Sequence, residues 1–251
     1  MQLSSSLSTV KGRAIVVGAS SGIGAALVRR LAADGYRVAA IARRESELRA
    51  LAKDAGASVL SYPHDVRETS QTLALFDRAV AELGGLDLVV YAAGVMPRIR
   101  EDEYSIEKDR AVVETNVLGA AAWLDCAAAF FERKRGGQIV GISSIAGDRG
   151  RRGYPGYCAS KAWLDTFLES LRNRLSRYGV SVVTIKPGYI DTAMTQGMSK
   201  LFWMISADEA ARRILDAAAA RARVRYVPMR WGLVGFVIKR IPSVVFRRMS
   251  I

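Results

Sequence analysis

Tyr157 and Lys161 stand four positions apart in "YPGYCASKAW", a spacing that puts a phenol and an ammonium on one face of a helix. A phenol is a feeble acid and a feeble base at neutral pH, with an ordinary pKa of about 10. A neighbouring cation favours the phenolate, so Lys161 is expected to draw Tyr157 down into the range of a working proton donor or acceptor. Upstream, "GISS" places Ser143 and Ser144 at the end of a strand-like run, within reach of the same point in an α/β fold. Taken singly, Ser144 could cap a strand end, Tyr157 could be a half-buried aromatic and Lys161 a surface charge. The set gains meaning only beside a second reactant.

That reactant is signalled at the other end of the chain. The run "RAIVVG" leads directly into "GASSGIG", Gly18 to Gly24, and then into a helical period. Glycines there let the backbone turn and approach a pyrophosphate, and the helix start offers free N–H groups, here through Ser20, Ser21, Gly22, Ile23 and Gly24. The spacing is Gly-x3-Gly-x-Gly, not the commoner dinucleotide fingerprint, and its weight comes from the strand–turn–helix context; a tight structural turn is the bland alternative. A NAD site needs an acid on the ribose about 20 residues on. The second strand instead ends "AIARR", with Arg43 and Arg44 and no carboxylate before Glu45. Arginines there suit a 2′-phosphate, so NADP(H) is favoured over NAD; otherwise they are a solvated pair at a helix start.

The elements that must position these groups read as alternating strands and helices. Short apolar runs, "RAIVVG", "RVAAIA", "SVLSY", "LDLVVYAAG", "GQIVGISS", "VSVVTI" and "VRYVP", show little polar alternation, as strands buried on both faces should. Helical periods are predicted over 22–34, 45–55, 70–83, 106–131, 154–178 and 207–220. Repeated βαβ units imply a doubly wound, Rossmann-like α/β fold with a mostly parallel sheet of seven strands and helices on both faces. Ligands then bind at the carboxyl ends of the strands. Residues 1–228 are read as the catalytic domain, with a substrate lid at about 191–206, and 229–251 as a basic C-terminal tail.

Composition removes several other classes. The chain has 251 residues, half of them hydrophobic, enough for a full core. Its start lacks a leader-type apolar run, and no stretch is long enough to span a membrane. Cys126 and Cys158 fall on separate helical segments, with no disulfide or metal spacing, and no metal is expected; this fits a reducing cytoplasm. The sole histidine, His64, follows the third strand, which argues against a Ser–His–acid hydrolase. Net charge is +13, but residues 221–251 hold eight basic residues and no acidic one, leaving only +5 for the rest. Overall charge is therefore a poor argument for nucleic-acid binding, and none is expected.

The ordered set "GASSGIG", "HDV" at His64, "AAG" at Ala92, "NVLG" at Asn116, "ISS" at Ile142, "YCASK" at Tyr157 and "PGYIDT" at Pro187 resembles the short-chain dehydrogenase/reductase family, in its shorter single-domain branch. The resemblance runs from Lys11 to about Pro228. It implies that Tyr157 is the general acid/base, that Lys161 lowers its pKa and bonds the nicotinamide ribose, that Ser144 polarises the substrate, and that Asn116 holds a water in a proton relay. It further implies that Asp65 and Val66 border the adenine, Ala93 and Gly94 the adenosine ribose, and Pro187, Gly188, Ile190 and Thr192 the nicotinamide end. The reaction implied is hydride transfer between nicotinamide and a carbonyl or secondary alcohol. One departure stands out: the family often has "NNAG" after the fourth strand, where this chain has "YAAG" with Tyr91 and Ala92. A non-catalytic NADP-binding sensor on the same fold is the rival reading.

Two segments bear on the substrate. Met194, Met198, Leu201, Phe202, Trp203 and Met204 suit a bulky apolar ligand, or simply pack the lid onto the body. Arg149, Arg151 and Arg152 could hold a substrate phosphate, or form a solvated loop. The tail could lie peripherally on an anionic membrane at its cytoplasmic face, or serve as an oligomer interface or an active-site lid; a homo-oligomer is expected. Tail and arginine loop also resemble those of polyprenyl-phosphoryl keto-pentose reductases, which implies a lipid-linked ketone.

Overall fold

The computed structural model describes residues 10–100, 102–198 and 201–249. The leader reading at 1–9, lid residues 199–200 and the last two residues of the tail lie outside them. The seven expected strands are present: β1 (Gly12–Val17), β2 (Tyr36–Ala42), β3 (Val59–Pro63), β4 (Leu88–Tyr91), β5 (Gly137–Ile142), β6 (Val180–Pro187) and, after two short strands, β9 (Val224–Val227). They form one parallel sheet in the order β3-β2-β1-β4-β5-β6-β9. The order reverses between β1 and β4, which opens a crevice at their carboxyl ends.

Helices α1 (Gly22–Ala33), α2 (Glu45–Ala55) and α7 (Ala207–Ala219) cover one face, and α3 (Thr72–Leu83), α5 (Gly119–Lys134) and α6 (Pro155–Leu175) the other. Each face has its own core. One is built on Val16, Val38, Val90, Val140 and Ile185 under Leu27, Leu48 and Ile214. The other sets Ile15, Val89 and Ile139 against Phe76, Trp123, Phe131, Leu164 and Leu168. Alternate side chains of one strand serve opposite cores, so the strands show unbroken apolar runs. In α7, Ala210, Ile214 and Ala217 recur on the inward side, and Ser206 caps the helix by accepting from the Glu209 amide at 3.1 Å.

Two elements depart from the sequence expectation. The helix predicted over 106–131 is divided into α4 (Ile106–Val112), a π-helical stretch Val113–Leu118 that carries Asn116, and α5. The lid is closed at its base by a two-residue parallel ladder, β7 (Ile190–Asp191) on β8 (Ile205–Ser206), too short to show in periodicity.

The tail is also structured. It forms α8 (Trp231–Arg240) and a short α9 (Ser243–Phe246). Arg149 donates to the Ile238 carbonyl at 2.7 Å and to the Ile241 carbonyl, and lies 4.1 Å from the Phe246 ring centre. Arg152 donates to the Arg247 carbonyl. Thus Arg149 and Arg152, read above as phosphate ligands or solvated residues, fasten the tail. Beneath them the buried Asp148 receives Lys186, the Lys239 ammonium at 2.7 Å and the Tyr226 hydroxyl at 2.8 Å. Burial alone would raise the Asp148 carboxyl; hydrogen bonds from Lys186 and Lys239 outweigh it and hold the group below the usual range. Removing one partner of a buried ion pair strands the others. Asp148→Ala is therefore expected to lower unfolding free energy by roughly 3 kcal/mol in denaturant titration, and Lys239→Ala, at the exposed end of the network, by much less.

Candidate active site

The turn after β1 needs glycine for two physical reasons. Gly18 has φ +89°, and a Cβ there would lie 2.5 Å from the Ala93 amide nitrogen; Gly22 has φ +54°. The turn aims the start of α1 into a cleft of about 1490 Å³ lined by Gly18, Ser20, Ser21, Gly22, Ile23 and Gly24. The first turn of α1 has no acidic residue, and no side chain caps it. Its amides are thus free for an anion. The same cleft is lined by Ala93, Gly94, Ser144, Tyr157, Lys161, Pro187, Gly188, Ile190 and Thr192, so the topology brings both ends of the sequence reading to one place.

Beyond the end of β2, Arg44 donates to Ser20 Oγ at 2.9 Å and Ser21 Oγ at 2.7 Å. Arg43 also lines the cleft. Of the two acids in the first turn of α2, Glu45 is bonded to Arg49 at 2.5 Å and Glu47 pairs with Arg44. Two guanidinium groups and two hydroxyls therefore converge at this end of the cleft, with Glu47 3.5 Å from Arg44. Asp65 does not line the cleft as expected: its carboxylate is held by Arg67 at 2.6 Å, with Arg43 at 3.9 Å. His64 and Val66 form that wall instead.

At the reacting end, Lys161 is buried, and its ammonium donates to the Ile142 carbonyl at the tip of β5, 2.9 Å away. Desolvation lowers it to about 8, opposed by the charge of Asp165 one turn on. The ammonium sits 5.7 Å from the Tyr157 ring centre. The expected downward pull on Tyr157 does not prevail: burial pushes the phenol up to about 12, against a hydrogen bond with Ser144 and the nearby Arg151 charge, which lower it. Tyr157 is accordingly a protonated group at neutral pH. The two serines are told apart by their partners. Both line the cleft, but Ser143 is buried and donates to the Lys161 carbonyl at 3.2 Å, whereas Ser144, with its hydroxyl oxygen, accepts from the Ala146 amide at 3.1 Å. Ser144 thus both caps a turn and faces the cleft.

Asn116 is buried behind the cleft wall and does not line it. Its side chain accepts from the Val95 amide at 2.8 Å and donates to the Val95 carbonyl at 3.0 Å and to Ser160 Oγ at 3.1 Å. It clamps the strand end that carries Gly94 to the helix that carries Lys161. Gly94 packs over this pair: a Cβ there would stand 3.4 Å from Asn116 Oδ1 and 3.6 Å from Lys161 Nζ, ordinary van der Waals contacts. The "YAAG" departure is compensated on the spot: Tyr91, fully buried, donates from its hydroxyl to the Thr115 carbonyl at 2.8 Å in the π-helical turn.

Sequence analysis of this family relationship is borne out by comparison with known proteins. Residues 12–201 match the family model described as short chain dehydrogenase. The chain belongs to the short-chain dehydrogenase family. It is an oxidoreductase of that family. It is 43% identical over 185 residues to an uncharacterized oxidoreductase of Myxococcus xanthus, covering 72% of this chain and 73% of the relative. An uncharacterized oxidoreductase of Mycobacterium tuberculosis is 31% identical over 200 residues, covering 76% and 78%. A solved short-chain type dehydrogenase/reductase from Mycobacterium marinum superposes with a TM-score of 0.79 at 26% identity, over 85% of this chain and 91% of that one. Two solved neighbours with less sequence in common share the fold: ElxO, titled with NADP bound, at 21% identity and TM-score 0.77, covering 86% of this chain and 96% of its own; and a Brucella melitensis 3-ketoacyl-(acyl-carrier-protein) reductase complexed with NADH, at 19% and 0.79, covering 85% and 95%.

Some short-chain dehydrogenase wall residues carried no signal in the sequence reading. Arg98, in the cleft wall after β4, donates to the Gln196 carbonyl of the lid, and Lys108 donates to the Arg98 carbonyl at 2.7 Å. Trp231, the first residue of α8, is buried against the lid, stacked 5.0 Å from Phe202 and edge-on at 5.3 Å from Tyr189. Only the tail's mixture of aromatic and basic residues hinted at such a role.

Proposed function

We propose that this chain is an NADP(H)-dependent carbonyl reductase that acts on a bulky apolar ketone, with Tyr157 as the proton donor. The observation that carries the reading is a protonated, cleft-lining Tyr157 beside a buried Lys161 ammonium, in the same cleft as an uncapped helix start and the Arg43–Arg44 pair. The glycine turn and the acid-free first turn of α1 fit a pyrophosphate; Arg44, Arg43, Ser20 and Ser21 fit a 2′-phosphate rather than a bare ribose. When bound, the dinucleotide supplies the hydride to the carbonyl carbon.

The chain's own groups supply the rest. Ser144 and the Tyr157 hydroxyl both face the cleft and can donate to one carbonyl oxygen, which fixes its orientation. As negative charge develops on that oxygen, Tyr157 gives up its proton. The phenolate left behind is favoured by the Lys161 ammonium, whose position is set by the Ile142 carbonyl. Asn116 acts as a positioning residue here, joining Val95 to Ser160. Met194, Met198 and Phe202 line the cleft from the lid, which supports an apolar substrate. A sensor role needs none of these proton-handling groups, and their retention favours the enzyme.

Tyr157→Phe keeps the ring and removes only the hydroxyl. Turnover of NADPH with a ketone is expected to fall by roughly 10²–10⁴, with NADPH affinity changed less than about fivefold; near-normal turnover would refute the mechanism. Cofactor choice is checked separately. Arg43→Asp is expected to cut the NADPH-over-NADH preference in kcat/KM by at least about tenfold, since a charge-assisted contact is worth roughly 1.5–3 kcal/mol. A wild-type protein that prefers NADH would overturn the assignment of the arginine pair.

A further inference from the structure

The tail helix is apolar on two sides, and only one of them is packed. Trp231, Gly235 and Ile238 face inward and are buried. Leu233, Phe236 and Val237, at i, i+3 and i+4, form a second stripe that faces solvent, exposed by 70%, 53% and 50%. Val244 and Val245 on α9 and Met229 just before α8 are exposed as well. The lid adds Phe202, Trp203 and Met204, all substantially exposed. Lid and tail share one aromatic cluster, because Trp231 contacts both Phe202 and Trp203. The unpartnered apolar surface therefore begins at the wall of the substrate cleft.

Its charge is one-sided. No Asp or Glu follows Asp216, while Arg230, Arg240, Arg247 and Arg248 accompany the stripe. The Arg240 guanidinium lies 3.5 Å from the Phe236 ring centre, covering apolar surface while keeping its charge at the edge. Lys239 is not part of this set, since it is spent on Asp148. Exposed apolar residues rimmed by cations match the two halves of an anionic bilayer interface. A second copy of the chain fits poorly: in a two-fold interface the patch meets itself, and cations would face cations.

We propose that the outer stripe of α8, with Phe202, Trp203 and Met204 of the lid, docks on an anionic lipid surface, so that the cleft takes its ketone from the bilayer. The substrate half of this inference rests on the carbonyl-reductase reading; the docking half does not. α8, with ten residues, is too short to cross a bilayer, and among the described residues no helix is long and apolar enough to do so. The helix lies in the interface plane, anchored from behind by the Arg149 and Asp148 contacts.

The test uses the full chain and vesicles of phosphatidylcholine with or without phosphatidylglycerol. Co-sedimentation is expected to be strong on the mixed vesicles, weak on phosphatidylcholine alone, and to fall as salt rises over Debye lengths of about 10 to 3 Å. Two variants divide the contributions. Leu233→Gln with Phe236→Gln and Val237→Gln is expected to lower partitioning at least about tenfold, and Arg240→Gln with Arg247→Gln and Arg248→Gln to remove the salt dependence. Both sets lie on the surface, and an unchanged Tm checks that they fold. Turnover on a water-soluble ketone is expected to stay within twofold, while turnover on a long-chain ketone carried in the mixed vesicles drops about tenfold. Vesicle binding that is absent, or is the same in the apolar variant, overturns docking; so does an oligomer that breaks up in that variant without loss of vesicle binding, which would make the stripe a subunit interface. Intact vesicle binding with no ketone turnover by the wild type would instead sink the carbonyl-reductase reading and leave docking standing.

Discussion

A charge held out of water organises this molecule. The Lys161 ammonium is 5% exposed and has been drawn down to about 8 from the ordinary lysine value, a loss of the order of 3 kcal/mol at neutral pH relative to a solvated lysine. The direction follows from linkage: below about 8 the folded chain keeps the desolvated cation, and the penalty is relieved as pH rises toward 10.5. Such a cost persists only where surrounding structure enforces it. Here the Ile142 carbonyl at the end of β5 accepts from the ammonium, the Ser143 hydroxyl donates to the Lys161 carbonyl, and Asp165 contributes the opposite charge one turn along α6. The site is assembled around that group: Tyr157 one turn before it, Ser144 beyond the same strand end, and the Gly94 floor over it.

The same helix carries a second, structural set of charges. Asp165 bonds Lys186 at 2.6 Å, and Lys186 also reaches Asp148, which holds Lys239 and Tyr226. Asp148 ends the short turn that Ser144 begins. A continuous polar path thus runs from α6, through the turn bearing Ser144, to the tail. Trp231 completes the connection on the apolar side by standing against Gly188, where a Cβ would come within 2.0 Å of its indole nitrogen. The tail consequently buttresses the cleft wall from behind, through Trp231 against Gly188, Tyr189 and Phe202.

Much of this was legible in the sequence, for physical reasons that also mark the limits. Strands buried on both faces announce themselves as apolar runs, so all seven were found, and the glycine turn was interpretable because its neighbours were a strand and a helix. Spacing singled out Tyr157 and Lys161 at one helical turn and Ser143 and Ser144 at a strand end, and all four line the cleft. What periodicity does not encode was missed. The π-helical turn at Asn116 and the two-residue ladder at the lid base leave no pattern, and the tertiary partners of Asp148, Arg149 and Arg152 lie 38 to 95 residues away. The sign of the Tyr157 shift was also misjudged, because charge proximity shows in a sequence while desolvation depends on the packed fold. Asp65, expected beside the adenine, is held by Arg67 two residues on and does not line the cleft.

If the buried Lys161 ammonium serves chemistry at the expense of stability, one substitution separates those roles. Lys161→Met keeps the aliphatic stem and removes the buried charge. Unfolding midpoint and NADPH-dependent ketone reduction measured on the same preparation, across pH 6 to 9, give the comparison. The expected result is a raised midpoint near neutral pH together with turnover lowered by at least about 10²-fold. The wild-type fall in kcat/KM as pH rises through about 8 should then be absent from whatever activity remains. A variant that is less stable than the wild type but reduces ketones at a comparable rate, with the same pH profile, would contradict the account: Lys161 would be a structural residue, and the proton on Tyr157 would owe nothing to it.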